Sequence, residues 1–282
     1  MLRFPYLAVE SVASQGEILT DELWANGAVG IEERDADTLL TARDGHVLFI
    51  AHFADEATAK QAQQALSPRY EVSLDYIVGD AWRDEWKRFF RPQRIGRLLI
   101  RPSWEQAMPQ SGEILLVIDP GRAFGTGRHA STRLLLEALE SHVHKGCNVL
   151  DVGCGSGILS IAALLLGAEH ATGIDIDPDA IDVALQNAAD NRIAAQFSAS
   201  CTPIDQLPAG TYDIVVANIE APVHLAIMDD LVARVNVDGL LMLSGLLLED
   251  ETTILRAFCG LNVVQRKVEG EWLALVMGGA RE

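Results

Sequence analysis

The chain has 282 residues, 49% of them hydrophobic, with a formal net charge of −18 and a pI of about 4.7. That length holds one large domain or two ordinary ones, and that hydrophobic content excludes a disordered chain. The acidity argues against long-range attraction to nucleic acid or an anionic membrane and favours a basic partner.

The four cysteines (Cys147, Cys154, Cys201, Cys259) form no C-x-x-C pair and the seven histidines no H-x-x-x-H pair, so neither a disulfide framework nor a metal site is expected. The densest apolar run, Leu240 to Leu248, is too short to span a bilayer and contains Ser244 and Gly245. The first residues lack a charged stretch followed by an apolar core, and a cytoplasmic location is expected.

In chain order, Arg3 to Glu10 alternates as a strand does. Gly16 to Ala25 has the helical spacing of Ile18, Leu19, Leu23 and Trp24. Strands are expected at Val29–Glu33 and Val47–Phe53, a helix at Asp55–Leu66 and a strand at Tyr70–Leu74. This β-α-β-β-α-β order describes a small ferredoxin-like α+β domain over residues 1–75, read as a recognition module. Residues 76–112 read as an interdomain linker. There Trp82, Trp86, Phe89 and Phe90 stand among seven arginines and lysines, but they share one helical face, which favours packing over RNA contact. Ile95–Ile100 is expected as one strand.

Residues 113–282 read as an α/β domain with a mostly parallel sheet. Its centre is Asn148 to Pro178: an apolar strand, Asp151-Val152-Gly153-Cys154-Gly155-Ser156-Gly157, an apolar helix, then Gly173-Ile174-Asp175-Ile176-Asp177-Pro178. Glycines let a backbone approach a ligand closely, and an acid after the next strand can accept from both ribose hydroxyls. The turn is Gly-x-Gly-x-Gly, shorter than the dinucleotide fingerprint. That favours S-adenosylmethionine, which has no pyrophosphate to cradle, over a nicotinamide cofactor. Asp177 and Pro178 open a helix over Asp179–Asn191. After a short strand at Gln196–Ala199, Tyr212–Asn218 is a strand ending in Ala217-Asn218-Ile219-Glu220. A helix at His224–Val235, a strand at Gly239–Leu243, a helix at Glu249–Phe258 and a closing hairpin (Val263–Val268, Trp272–Met277) complete the domain.

These blocks together resemble the bacterial methyltransferases of ribosomal protein L-eleven, the PrmA type. The resemblance covers both domains. It lies in Trp82 to Pro92, Asp119 to Thr132, Asp151 to Pro178, Ala217-Asn218-Ile219 and Ser244-Gly245. The most discriminating block is Asp119-Pro120-Gly121-Arg122-Ala123-Phe124-Gly125-Thr126-Gly127-Arg128-His129. The resemblance implies a class I methyltransferase, Rossmann-like fold preceded by the ferredoxin-like domain, with S-adenosylmethionine as cofactor. It implies cofactor contacts at Thr132, Gly153, Asp175 and Asn218, and a covering loop of Phe124, Gly125, Thr126 and Gly127. It also implies a basic ribosomal protein as substrate, trimethylated on lysines and the α-amino group. Four positions depart from the family pattern: Ala130 replaces proline, Ser131 threonine, Arg122 an aliphatic residue, and Glu220 a small or aliphatic one.

Methyl transfer needs a neutral amine aligned with the cofactor. Asn218 is the expected orienting residue, and no general base is assigned. Gly153 and Gly155 are expected at the cofactor's amino-acid end, Asp175 at its ribose and Thr132 at its polar tail. Asp151 either faces the cofactor or caps the turn's backbone, and His129 is read as fixing its loop. The alternatives are another protein lysine, RNA base amines, or a cofactor-binding module without catalysis. A monomer is expected, with no membrane contact and no direct nucleic-acid binding.

Overall fold

The computed structural model describes residues 3–12, 16–34, 46–78, 91–119, 127 and 129–280. The chain divides into two compact units, residues 1–90 and 91–282.

In the first unit, β1 (Arg3–Val12), α1 (Gly16–Ala25), β2 (Ala28–Arg34), β3 (His46–Phe53), α2 (Glu56–Leu66) and β4 (Glu71–Val78) follow the expected order. The sheet runs β2-β3-β1-β4 with every pair antiparallel, the ferredoxin-like arrangement. One core joins Leu7, Val9, Phe49 and Phe53 of the sheet to Leu19, Leu23, Ala59 and Leu66 of the helices. Asp55 caps α2 by accepting from the Thr58 backbone N–H at 2.9 Å.

The second unit begins earlier than residue 113. Ile95–Ile100 is not one strand but two, β5 (Gln93–Ile95) and β6 (Leu98–Arg101), because the chain reverses at Gly96, whose φ is +51°. These strands join β7 (Ile114–Val117) in a three-stranded sheet. Ile95, Leu98 and Ile100 are buried in this unit's core. Residues 93–101, expected in the linker, are thus held by hydrophobic burial as part of the second unit. The aromatic cluster at residues 82–90 lies outside the described residues.

The main elements are α3 (Ala130–His142), β8 (Asn148–Val152), α4 (Ile158–Leu166), β9 (His170–Ile174), α5 (Pro178–Asp190), β10 (Phe197–Ser200) and β11 (Tyr212–Asn218). They are followed by α6 (Ala221–Ala226), α7 (Met228–Ala233), β12 (Val235–Leu247), α8 (Glu251–Ala257), β13 (Leu261–Glu269) and β14 (Trp272–Ala280). The seven-stranded sheet runs β10-β9-β8-β11-β12-β14-β13, with only β14 antiparallel to its neighbours. Its central strands are buried on both faces, and alternation sorts their side chains. Val149, Ile214, Val216 and Val276 belong to one core. Leu150, Val215, Ala217 and Leu275 belong to the other.

The expected helix His224–Val235 is two short helices broken at Ile227. Pro222, in the first turn, suits a helix start and moves the beginning forward to Ala221. The strand expected at Gly239–Leu243 is longer, passing through Ser244-Gly245 with a register shift between Leu243 and Leu246.

Asn187 on α5 and Asn191 at its C-terminal cap, one turn apart, complete the hydrogen bonding of β7 and the residues just after it. Asn191 accepts from the Val117 N–H at 2.9 Å and donates to its carbonyl at 2.6 Å. Asn187, 1% exposed, accepts from the Asp119 N–H at 3.0 Å and donates to the carbonyls of Asp119 (3.2 Å) and Ser156 (2.9 Å). Each amide takes the place of a neighbouring strand. Among the described residues no helix is long and apolar enough to cross a membrane, and no cluster of three ligating side chains could hold a metal. Replacing Asn187 by Leu removes three bonds, one to a buried backbone group and two to half-buried ones. We expect a loss of ~3 kcal/mol, read by urea unfolding; unchanged stability would show these bonds to be unimportant.

Candidate functional site

The chain moves from β8 out to β9 on one side and returns to β11 on the other, so the strand order reverses beside β8. Ligands of open α/β sheets bind beyond the carboxyl ends of the strands at such a reversal. The turn after β8 is shaped by close backbone approach. Gly153 has φ +73°, and a Cβ there would sit 2.5 Å from Cγ2 of Ile219. From the other side, a Cβ on Gly245 (φ +77°) would lie 2.4 Å from the Ile219 carbonyl oxygen. The segment after β11 is therefore seated between two glycines.

Asp175 follows β9. Its Oδ2 accepts from the Gly155 N–H at 2.9 Å and its Oδ1 from the Asp177 N–H at 3.0 Å. A carboxylate has about four acceptor positions, so Asp175 fastens the glycine turn and keeps acceptor capacity for a ligand. Asp177 caps α5, accepting from the Asp179 N–H at 2.9 Å.

Asp151 is completely buried. Its Oδ2 accepts from the backbone N–H (3.1 Å) and hydroxyl (2.7 Å) of Ser160 inside the first turn of α4, while Oδ1 is unpaired. Of the two roles open in the sequence, the structure shows the backbone-fastening one. Burial pushes this carboxyl up to about 6, against the lowering effect of the Ser160 bonds and with help from the nearby Asp175 charge.

A cavity of about 620 Å³ opens at this edge and brings together Thr132, Gly153, Gly155, Asp175 and Asn218. That volume falls within the roughly 300–1,000 Å³ of small-molecule sites. Asn218 Nδ2 donates to Thr132 Oγ1 at 3.1 Å, joining the end of β11 to the start of α3. Gly127 is not part of the lining; a Cβ there would meet Gln93, Ile100 and Ile158. Phe124, Gly125 and Thr126 lie outside the described residues. His129 caps α3, with Nδ1 2.8 Å from Ser131 Oγ, and packs edge-on against Trp272 at 4.3 Å. Burial and the Arg133 charge hold its pKa below the ordinary range, opposed by Glu269.

Several lining residues were not singled out from the sequence. Ile176 is 96% exposed and presents a bare apolar face to the cavity. Asp205 and Asp230 add carboxylates to those of Asp175 and Asp177, and no described lining residue is Lys or Arg. The one available signal was Ile176, an apolar side chain isolated between two aspartates beyond a strand end.

The family model for ribosomal protein L11 methyltransferase (PrmA) matches residues 7–279. The chain belongs to that family. It is 40% identical over 267 residues to a ribosomal protein L11 methyltransferase of Sorangium cellulosum, covering 92% of this chain and 84% of that one. It is 46% identical over 290 residues to one of Geobacter metallireducens, covering 95% of each. Among solved structures, a ribosomal protein L11 methylase from Lactobacillus delbrueckii subsp. bulgaricus aligns over 68% of this chain and all of its own, with a TM-score of 0.64 at 31% identity. A tRNA methyltransferase from M. jannaschii aligns with a TM-score of 0.50 at 16% identity, a likeness of fold alone.

The raised Asp151 carboxyl gives a signed pH dependence. Between its ordinary value of 3.8 and about 6 the folded chain keeps a proton that the unfolded chain has released. Stability contributed there falls as pH rises through that window. Asp151→Asn should therefore gain on the unmodified chain from pH 4 to 6, by at most ~3 kcal/mol, and hold a constant advantage above. Urea unfolding across pH 4–8 measures the gap; a gap independent of pH would contradict the raised value.

Proposed function

We infer that the chain methylates amines of ribosomal protein L11, lysine side chains and the α-amino group, with S-adenosylmethionine as donor. The carrying observation is the chemistry of the cavity in a member of this family. It has four carboxylates and, among the described lining residues, no lysine, arginine or histidine. Such a site repels a pyrophosphate and attracts a ligand carrying sulfonium and ammonium charges. The fit extends to shape: Gly153 leaves the backbone bare, and Ile176 offers an apolar face to a purine.

Asp175 would hold the ribose hydroxyls with its remaining lone pairs. Gly153 and Gly155 would lie at the cofactor's amino-acid end, and Thr132 near its polar tail. The bound cofactor supplies an electrophilic methyl group. The protein's task is then to bring an amine into line. Because Asn218 Nδ2 is committed to Thr132, its Oδ1 is left to accept an N–H from the incoming amine. An ammonium has no lone pair to attack with, and lysine's free pKa is near ~10.4, so the proton must leave before transfer. Asn218 cannot take it; water can. The small first unit supplies recognition of the protein substrate, the chain acts as a monomer in the cytoplasm, and neither a metal nor nucleic acid takes part.

Incubating the chain with S-adenosylmethionine and purified L11 should add methyl groups to L11, counted by intact-mass spectrometry. Asn218→Ala should slow transfer at least ~100-fold, the scale of losing a positioning contact, with calorimetric affinity for the cofactor falling far less. Transfer at the unmodified rate would remove Asn218 from the reaction.

A further inference from the structure

His224 has no part in the site described so far. It lies on α6, six residues beyond Asn218, and is completely buried. Val223 and Ile227 beside it line the cavity, but His224 does not. Its Nε2 lies 2.9 Å from the Ser244 carbonyl oxygen, so that nitrogen carries the proton and donates. Nδ1 is buried with no hydrogen-bond partner. The Ile219 carbonyl also lies beside the ring; with Ser244 it opposes the lowering of the His224 pKa by burial.

Ser244 is the partner of Asn218 in the β11–β12 register. Its hydroxyl donates to the Leu273 carbonyl at 3.0 Å, which ties it to β14. The next residue, Gly245, presses against the Ile219 carbonyl. An imidazole bonded to the Ser244 carbonyl therefore holds the β12 residues that pair with Asn218 and press on Ile219, and through them the turn after Asn218. A buried, singly bonded histidine costs more than an apolar residue would at the same place. Packing alone gives no reason for it.

We propose that His224 is a positioning residue for amine transfer, fixing the Asn218–Ile219 turn through Ser244 and the adjoining Gly245 without touching cofactor or substrate. It can have that role only if the methyl-transfer reading holds. His224→Leu keeps the bulk and removes the donor; His224→Gln keeps an N–H able to reach Ser244. In the full chain, His224→Leu should lower kcat by about tenfold or more, a local loss of transition-state alignment. KM for L11 and calorimetric affinity for S-adenosylmethionine should change less than about twofold. Amide exchange at residues 217–221 should quicken while that at 153–157 stays as before. His224→Gln should recover most of both losses.

Unchanged kcat in His224→Leu, unchanged exchange at 217–221, or a Gln variant no better than Leu would each overturn the proposal. If the Leu variant fails to fold, His224→Gln is compared with His224→Asn, whose shorter side chain cannot span to Ser244. Faster transfer and slower exchange in Gln than in Asn then support the proposal, and equal behaviour overturns it. Absence of methyl transfer by the unmodified chain would instead sink the methyl-transfer reading, while the exchange comparison still reports on the turn.

Discussion

The backbone after β11 passes between the turn after β8 and the Gly245 stretch of β12, with no room for a side chain on either flank. A methyl group on Gly153 would strike Ile219 from one side, and one on Gly245 would strike its carbonyl from the other. Both glycines also hold positive φ, which L-residues with side chains rarely adopt. The ends of β8 and β11 are thereby brought against β12, and the cavity opens beside them. Everything chemical at this edge inherits its position from that approach. Asn218 is one residue from the clamped segment, and Gly155 is two residues from Gly153.

Polar side chains then fasten segments that hydrophobic packing alone would leave free to slide. Asp175 ties the glycine turn to the end of β9, and Asn187 ties Ser156 to Asp119. Asp119 is itself held by the Ser103 N–H and hydroxyl at 2.7 and 2.6 Å. The sequence stretch that begins at Asp119 thus leaves β7 from a point bonded both to the helix α5 and to the residues after β6. Buried polar groups joined in this way are rigid when complete and costly when broken. They suit a site that must hold an amine and a cofactor in line.

Local chemistry explains why some of this was readable from the chain. The glycine turn, the Asp177–Pro178 helix start and the acid after β9 each express themselves within a few residues. The ferredoxin-like order follows from alternation and turn signals, and the strands of the parallel sheet follow from the same signals. The differences between expectation and structure were also local in cause. Gly96 concealed a reversal within an apolar run, and Pro222 moved a helix start that helical spacing placed at His224. Asn187, Asp230 and His224 carry no such signal. Their partners or neighbours come from other elements, 68 residues away for Asn187 and Asp119. Only the assembled sheet makes these residues meaningful.

On the proposed methyl-transfer reading, the charge of the cavity poses a problem that Asn218 would answer. Carboxylates favour a cationic cofactor, but the same field favours a protonated lysine, which cannot attack. An acid at the position of Asn218 would form an ion pair with the arriving ammonium and raise its pKa further. A neutral amide oxygen can accept an N–H from the neutral amine without that cost. Holding this amide in one orientation matters, because a flip would offer the amine a donor instead of an acceptor. In the structure the amide is turned with Nδ2 toward the Thr132 hydroxyl, which leaves Oδ1 free to accept. On that reading the site would be acidic where the cofactor's charge is held and neutral where the amine must lose its own.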